Sequence, residues 1–262
     1  MSLSVTILTK NSERYLDEVL NPLKDFEEVL IYDNGSSDKT LEIASRFPNV
    51  RIEKGPFFGF GETHNRVSEM AKNDWILSLD SDEVLTPELI QEIKSLSFEK
   101  GTVYAIPRHN EYRRKWIKGC GWYPDSPKRI YNRKDTCFST HKVHESILTE
   151  GLKEKTLKNY FHHFTYDGVH ECIAKMQHYS DLFAQDRAGK VSSSPLKAIG
   201  HGFFTFFKSY ILKRGFLDGA EGYLISCYQA HTAFYKYFKL YEANLKLRDA
   251  PLQKEASSSP QK

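Results

Sequence analysis

Cysteine is scarce in this 262-residue sequence. The four present, Cys120, Cys137, Cys172 and Cys227, stand too far apart for a zinc knuckle or a dithiol redox motif, so reduced structural thiols are expected. No apolar run approaches the ~18–20 residues of a spanning helix. The start, Met1-Ser2-Leu3-Ser4-Val5, lacks the basic and apolar regions of a signal peptide. These absences point to a cytoplasmic chain whose membrane contact is at most peripheral. Gly and Pro, 15 and 10 residues, are too few for a collagen or a low-complexity chain. No internal repeat is present. A net charge of +3 says little by itself, but its distribution is uneven. Residues 1–100 carry 11 Lys and Arg against 19 Asp and Glu, a balance of −8. The remainder carries 26 against 15, a balance of +11.

Two periodicities alternate over the first hundred residues. Strand-like runs at Leu3–Leu8, Val29–Tyr32, Val50–Ile52 and Trp75–Leu79 are separated by helical patterns. These patterns cover Tyr15 to Leu23, Asp38 to Ala44 and residues 62–72, and a further helix follows Thr86 as N-cap and Pro87 as first residue. The alternation predicts an α/β fold: a Rossmann-like, mostly parallel sheet flanked by helices on both faces. From 101 to 150 short strands and Gly/Pro-containing loops take over. Residues 168–189 read as helical, and 196–247 as an aromatic-rich helical region broken near Gly215 and Gly219. The polar tail from Ala250 reads as disordered.

In an open parallel sheet, ligands bind beyond the carboxyl ends of the strands. Three polar clusters fall at such ends: Thr9-Lys10-Asn11, the run Asp33 to Asp38, and Asp80-Ser81-Asp82-Glu83. Crowded carboxylates at a strand end destabilise it unless a cation neutralises them. Oxygen ligands beside a diphosphate suit Mg2+ or Mn2+. Phe57-Phe58-Gly59-Phe60-Gly61 leads into a helix whose first amides face a potential anion. It is not a P-loop, because no Gly-Lys-Ser/Thr follows.

Taken in order, Thr9-Lys10-Asn11, Asp33-x-Gly35-Ser36-x-Asp38-x-Thr40, Gly59-x-Gly61 with Asn65, and Asp74-Trp75-Ile76-Leu77-x-Leu79-Asp80-x-Asp82-Glu83 resemble the family 2 glycosyltransferases of GT-A fold. Gly121-Trp122-Tyr123-Pro124-Asp125, Arg129-Ile130-Tyr131, Val143-His144-Glu145 and His163-Phe164-Thr165-Tyr166 resemble the branch that builds lipopolysaccharide inner core, including the β-1,4-glucosyltransferases acting on core heptose. The resemblance runs from about residue 3 to residue 240. It departs in the first loop, where Ser12 stands in place of the acidic residue that often follows the Asn.

The resemblance implies an inverting, metal-dependent transfer of a hexose, glucose from UDP-glucose, onto a lipopolysaccharide inner-core sugar. Thr9, Asn11, Asp33, Asn65 and Asp80 would bind the nucleotide, with Asp33 accepting from the uracil ring. Asp80, Asp82 and His163 would hold Mn2+ or Mg2+ against the two phosphates, with His162 the neighbouring candidate. Glu145 would be the base that takes the acceptor proton, while Asp82 serves catalysis through the metal. Gly119 lies in the glycine loop, and Gly121, Trp122, Asp125 and His144 would meet the acceptor. On this reading residues 1–100 form the donor half, 101–190 the acceptor half, 191–249 an amphipathic helical region and 250–262 a tail. Aromatic faces stack on sugars, yet Trp122 reads equally well as a packed loop corner. The basic run Arg113-Arg114-Lys115 with Lys118 and the aromatic C-terminal region fit an anionic, lipid-linked acceptor at the inner membrane surface. Packing against the sheet domain or a second subunit remains open for that region. So do an acceptor such as polyprenyl phosphate or a capsular intermediate, and a non-catalytic scaffold of the same fold. No nucleic-acid module is recognisable.

Overall fold

The computed structural model describes residues 2–140 and 146–257, and only the backbone from residue 250 on. Contacts divide the chain into two compact units. One runs to Asn110 and includes Pro124–Thr165; the other combines Glu111–Tyr123 with the chain from Tyr166 onward.

The first unit carries a seven-stranded mixed sheet. Its strands are β1 (Leu3–Thr9), β2 (Glu28–Asp33), β3 (Val50–Lys54), β4 (Trp75–Asp80), β6 (Thr102–Ala105), β9 (Lys128–Asn132) and β10 (Lys153–Thr156), in the order β10-β6-β9-β4-β1-β2-β3. β1, β2, β3 and β4 are mutually parallel, as expected. β9 runs antiparallel to both β4 and β6, which puts its first residues at the edge where β4 ends. Short helices cover both faces, which is why β1 and β2 are buried almost throughout. Leu3, Val5, Ile7, Ile31, Leu77 and Leu79 pack against α1 (Leu16–Leu20), α2 (Thr40–Ala44) and α4 (Pro87–Ser95). Leu30, Ile76 and Tyr131 pack with Val67 of α3 (Phe60–Met70) on the opposite face. α4 starts as its sequence predicts: the Thr86 hydroxyl accepts from the Leu89 amide and Pro87 is the first helical residue. Beyond β4, β5 (Glu83–Leu85) pairs antiparallel with β11 (Phe161–Tyr166), and β7 (Arg108–Tyr112) pairs antiparallel with β8 (Lys115–Trp116). All four cysteines are free thiols.

The second unit holds α5 (Val169–Arg187), α6 (Pro195–Phe207) and α7 (Gly219–Ser257), with α5 and α6 packed on α7. The helical region breaks where expected. A π-helical turn, Lys208–Leu212, follows α6, and Arg214 and Gly219 take φ of +55° and +69°. Two boundaries differ from the sequence reading. The loop 111–123 joins this unit because it is tied to the corner before α7: the Gly119 amide donates to Asp218 Oδ2 at 2.6 Å and the Cys120 amide to the Lys213 carbonyl at 3.0 Å. α7 also continues through Ser257 past Ala250, with Pro251 unable to donate a helical hydrogen bond there and residues 252–256 all good helix formers.

Candidate functional site

Parallel register sets the carboxyl edge of the first unit. Thr9 lies beside Asp33, and Leu8 beside Asp80, so the expected clusters share one side of the sheet. The first two loops are tied together: the Asn11 amide donates to Ser36 Oγ at 2.9 Å, and Asn11 Oδ1 accepts from the Ser37 amide at 2.8 Å. Asn11 reaches this position with φ of +54°. Ser12, where the family often has an acid, donates its amide to Thr40 Oγ1 at 2.7 Å. The neighbouring Glu13 accepts from the Lys39 amide.

Asp33 organises its own turn. Oδ1 accepts from Thr9 Oγ1 at 3.1 Å and Ser36 Oγ at 2.5 Å; Oδ2 accepts from the amides of Gly35 at 3.0 Å and Ser36 at 2.9 Å. These four donors fill the acceptor capacity of a carboxylate. Burial pushes the Asp33 carboxyl upward, but the hydrogen bonds outweigh it and hold the group below the usual carboxylate range.

Asn65 is also spent internally. Its Nδ2 donates to the Phe138 carbonyl at 2.9 Å and its Oδ1 accepts from the Phe138 amide at 2.7 Å. Together they clamp the 138–139 backbone onto α3. Gly61 permits that approach, because a Cβ there would lie 1.9 Å from the Ser139 carbonyl oxygen. Beside the clamp His64 stacks on Phe138 at 4.5 Å, and burial pulls its imidazole down to about 4.

The end of β4 carries a cation that the sequence reading had not placed in the site. Arg129, second residue of β9, comes to this edge because β9 runs against β4. Its Nη2 meets Asp80 Oδ2 at 2.6 Å and also Glu83 Oε1. Arg129 is 9% exposed by side chain and Glu83 0%, whereas Asp80 stays 45% exposed. Burial raises the Asp80 carboxyl, but Arg129 reverses this and holds it well below the ordinary range. For Glu83, burial prevails over Arg129 and the carboxyl is pushed up. Arg108 continues the network, 3.5 Å from Glu83 and 2.7 Å from Asp125. Asp125 Oδ2 accepts in addition from Asn110 Nδ2 at 2.9 Å.

That last bond orients the remaining pair. With Nδ2 of Asn110 turned to Asp125, its Oδ1 faces His163 Nδ1 at 2.6 Å, so Nδ1 carries the proton. The other ring nitrogen, Nε2, lies 3.5 Å from Asp82 Oδ2. An imidazole nitrogen and a carboxylate oxygen facing each other are ligand types that a divalent cation accepts. The pairing of His163 with Glu83 across β5 and β11 fixes this register, and His162 instead sits edge-on to Tyr160 and His109. Among the described residues no third His, Cys, Asp or Glu completes a metal cluster, and Asp80 is engaged by Arg129.

Gly121, with φ of +77°, and Trp122 belong to the second unit, where the Trp122 amide donates to the Gly119 carbonyl and its ring lies 6.0 Å from Tyr166. Gly119 is a packing requirement there, since a Cβ would lie 2.7 Å from the Arg214 carbonyl. Glu145 and His144 lie outside the described residues. Flanking them, Ser139 and Ser146 are hydrogen-bonded, amide to carbonyl, at 2.9 Å. Arg108 and Asn110 escaped sequence reasoning because cations and amides in short strands carry no pattern of their own. Arg129 stands in the resembling run Arg129-Ile130-Tyr131 but had no role assigned; the antiparallel placement of β9 supplies it.

Residues 4–149 match the family model for glycosyl transferase family 2. A Rickettsia bellii protein described as an uncharacterized glycosyltransferase is 26% identical over 95% of this chain and 89% of its own length. A Rhizobium meliloti relative, the lipopolysaccharide core biosynthesis glycosyltransferase LpsC, is 26% identical over 92% of this chain and 93% of its own. The solved S. aureus TarS 1–349 in complex with UDP-GlcNAc aligns with 95% of this chain and 92% of its own at 17% identity and a TM-score of 0.48. With more than half of its length matched by the family model, the chain belongs to glycosyl transferase family 2.

Proposed function

We propose that this glycosyltransferase is an inverting enzyme that moves glucose from UDP-glucose onto a sugar of the lipopolysaccharide inner core. The observation that carries the donor side is the Asp82–His163 pair, held at 3.5 Å at the carboxyl edge with His163 Nδ1 turned to Asn110. The full-length likeness to a lipopolysaccharide core glycosyltransferase supports the acceptor class.

Asp82 and His163 would hold Mn2+ or Mg2+, which when bound neutralises charge growing on the leaving diphosphate. Thr9, Asn11 and the Asp33 turn frame the base; a uracil N–H reaches Asp33 by taking the place of the Ser36 hydroxyl. Asp80, fixed by Arg129, faces the ribose. Asn65 supports α3 from behind through its clamp on Phe138. Glu145 takes the proton from the acceptor hydroxyl as it attacks the anomeric carbon, so the leaving diphosphate departs from the opposite face and the configuration inverts. Trp122, Gly121, Asp125 and His144 are assigned to the acceptor, with Asp125 braced by Arg108 and Asn110.

The test is UDP release from a panel of UDP-sugars with Mn2+ or Mg2+, using heptose-terminated core lipopolysaccharide as acceptor. Glucose should be preferred. Asp82→Asn and Glu145→Gln should each lower kcat by about 100-fold or more. Undiminished transfer by both variants overturns the catalytic assignment. A wild type indifferent to divalent ions removes the metal role of Asp82 and His163.

A further inference from the structure

α6 meets α7 through the buried Ala198 and Gly202, where a Cβ on Gly202 would lie 3.2 Å from Phe234 Cβ, and through His201 stacked on Tyr237 and Phe206 edge-on to Tyr223. Its other large apolar residues point outward. Leu196 is 81% exposed and Phe203 75%, and Ile199, Phe204 and Phe207 are exposed beside them. Leu196, Ile199, Phe203 and Phe207 recur at three- and four-residue spacing and so form one stripe. The apolar surface continues past the helix through Ile211, Leu212, Phe216 and Leu217. A helix in a water-soluble domain normally buries this stripe.

The rim has one sign of charge. From Arg187 to Leu217 the sequence contains no Asp or Glu, while Lys197, Lys208, Lys213 and Arg214 border the stripe. We infer that this face docks on an anionic phospholipid bilayer, with the aromatic and aliphatic side chains among the acyl chains and the cations at headgroup level. No helix among the described residues is long and apolar enough to cross a membrane. At ~1.5 Å per residue α6 also falls short of the ~30 Å hydrocarbon core, so it lies along the interface. A second copy of this chain is the poorer occupant. A two-fold interface would set the two basic rims against each other with no acid in the segment to pair them. The inference goes beyond the transferase reading and does not rest on it.

The experiment is flotation of the full chain with vesicles of phosphatidylcholine alone and of phosphatidylcholine with phosphatidylglycerol. Binding should require phosphatidylglycerol and weaken with salt. Lys208→Ala and Lys213→Ala should each weaken it about fivefold. Phe203→Ser with Phe207→Ser should weaken it about tenfold or more. Leu247→Ser, an exposed apolar change on α7, should leave binding unaltered. Circular dichroism of each variant checks that the helices persist.

Several results overturn the proposal: no wild-type binding, equal binding to both vesicles, or unchanged binding of the phenylalanine variant. So does a dimer that the phenylalanine variant splits while vesicles bind neither protein. UDP release from donor in vesicle-free solution should be the same for wild type and the phenylalanine variant. A chain that binds vesicles but never turns over donor counts against the transferase reading and leaves this one standing.

Discussion

Replacing Arg129 with Met removes the guanidinium shared by Asp80 and Glu83. Asp80, 45% exposed, can rehydrate; Glu83, 0% exposed, cannot, and its nearest remaining cation is Arg108 at 3.5 Å. Removing one partner of a buried ion pair costs about 3–5 kcal/mol. Arg108 places this case near the low end, so Arg129→Met should cost about 3 kcal/mol. Glu83→Gln leaves Arg129 its bond to Asp80 and should cost roughly 1–3 kcal/mol through poorer hydrogen bonding. In the double variant neither charge is stranded. Its cost should therefore fall short of the sum of the single costs by about 2 kcal/mol. Urea unfolding of the four proteins measures this, with the slope checked for constancy before midpoints are compared. Costs that add within about 0.5 kcal/mol, or an Arg129→Met cost below about 1 kcal/mol, would refute the view that Arg129 is the counterion of this edge.

Glu28, 1% exposed at the start of β2, accepts from Ser4 Oγ at 2.6 Å and the Lys72 amide at 2.7 Å and pairs with Arg51 at 3.1 Å. Burial pushes its carboxyl up, but these partners prevail and lower it below its ordinary value. A lowered carboxyl stabilises the fold above its unfolded-state value of about 4.3 and loses that contribution as pH falls through the folded value. Glu28→Gln should thus cost roughly 2 kcal/mol at pH 7, with the gap from wild type closing below about pH 4, as urea midpoints across pH would show. Gly61→Ala drives a Cβ into the Ser139 carbonyl and should cost about 2–3 kcal/mol. Gly200→Ala, with nothing within 4 Å in the interior of α6, should instead stabilise by about 0.5–1 kcal/mol; thermal melts of the two separate close packing from helix propensity.

The parallel strands, their helices and the three polar loops were legible in the sequence because hydrophobic periodicity sets strand ends, and strand ends set the ligand edge. The Thr86–Pro87 cap was legible for the same local reason. Individual roles were less so. Asp33 and Asn65 stand where a nucleotide contact is expected, yet each is engaged by neighbours: Asp33 by its own turn, Asn65 by the Phe138 backbone 73 residues away. A motif records that a residue type is needed, but not whether it faces inward or outward. Choosing His163 over His162 likewise required the pairing of β11 with β5.

The acidic cluster after β4 suggests a metal-hungry fold, and the structure changes the balance of that argument. Asp80 and Glu83 share Arg129, and Asp125 is held by Arg108, whereas Asp82 faces His163 with no Lys or Arg ion pair among the described residues. Most of the repulsion at this edge is therefore relieved by arginines of the chain itself. A metal of the proposed kind would serve the diphosphate more than the fold. A two-residue site without nucleotide should bind weakly, and a ligand present near its Kd stabilises by only about 0.4 kcal/mol. For a chain of this size that is a shift of about 1–2 °C. Adding millimolar Mn2+ to chelator-treated protein should accordingly move Tm by no more than this, whereas Mn2+ with UDP should move it by several degrees more than either alone. A shift of about 5 °C or more from the metal by itself would mean that Asp82 and His163 serve the fold directly, and that the arginines do not suffice.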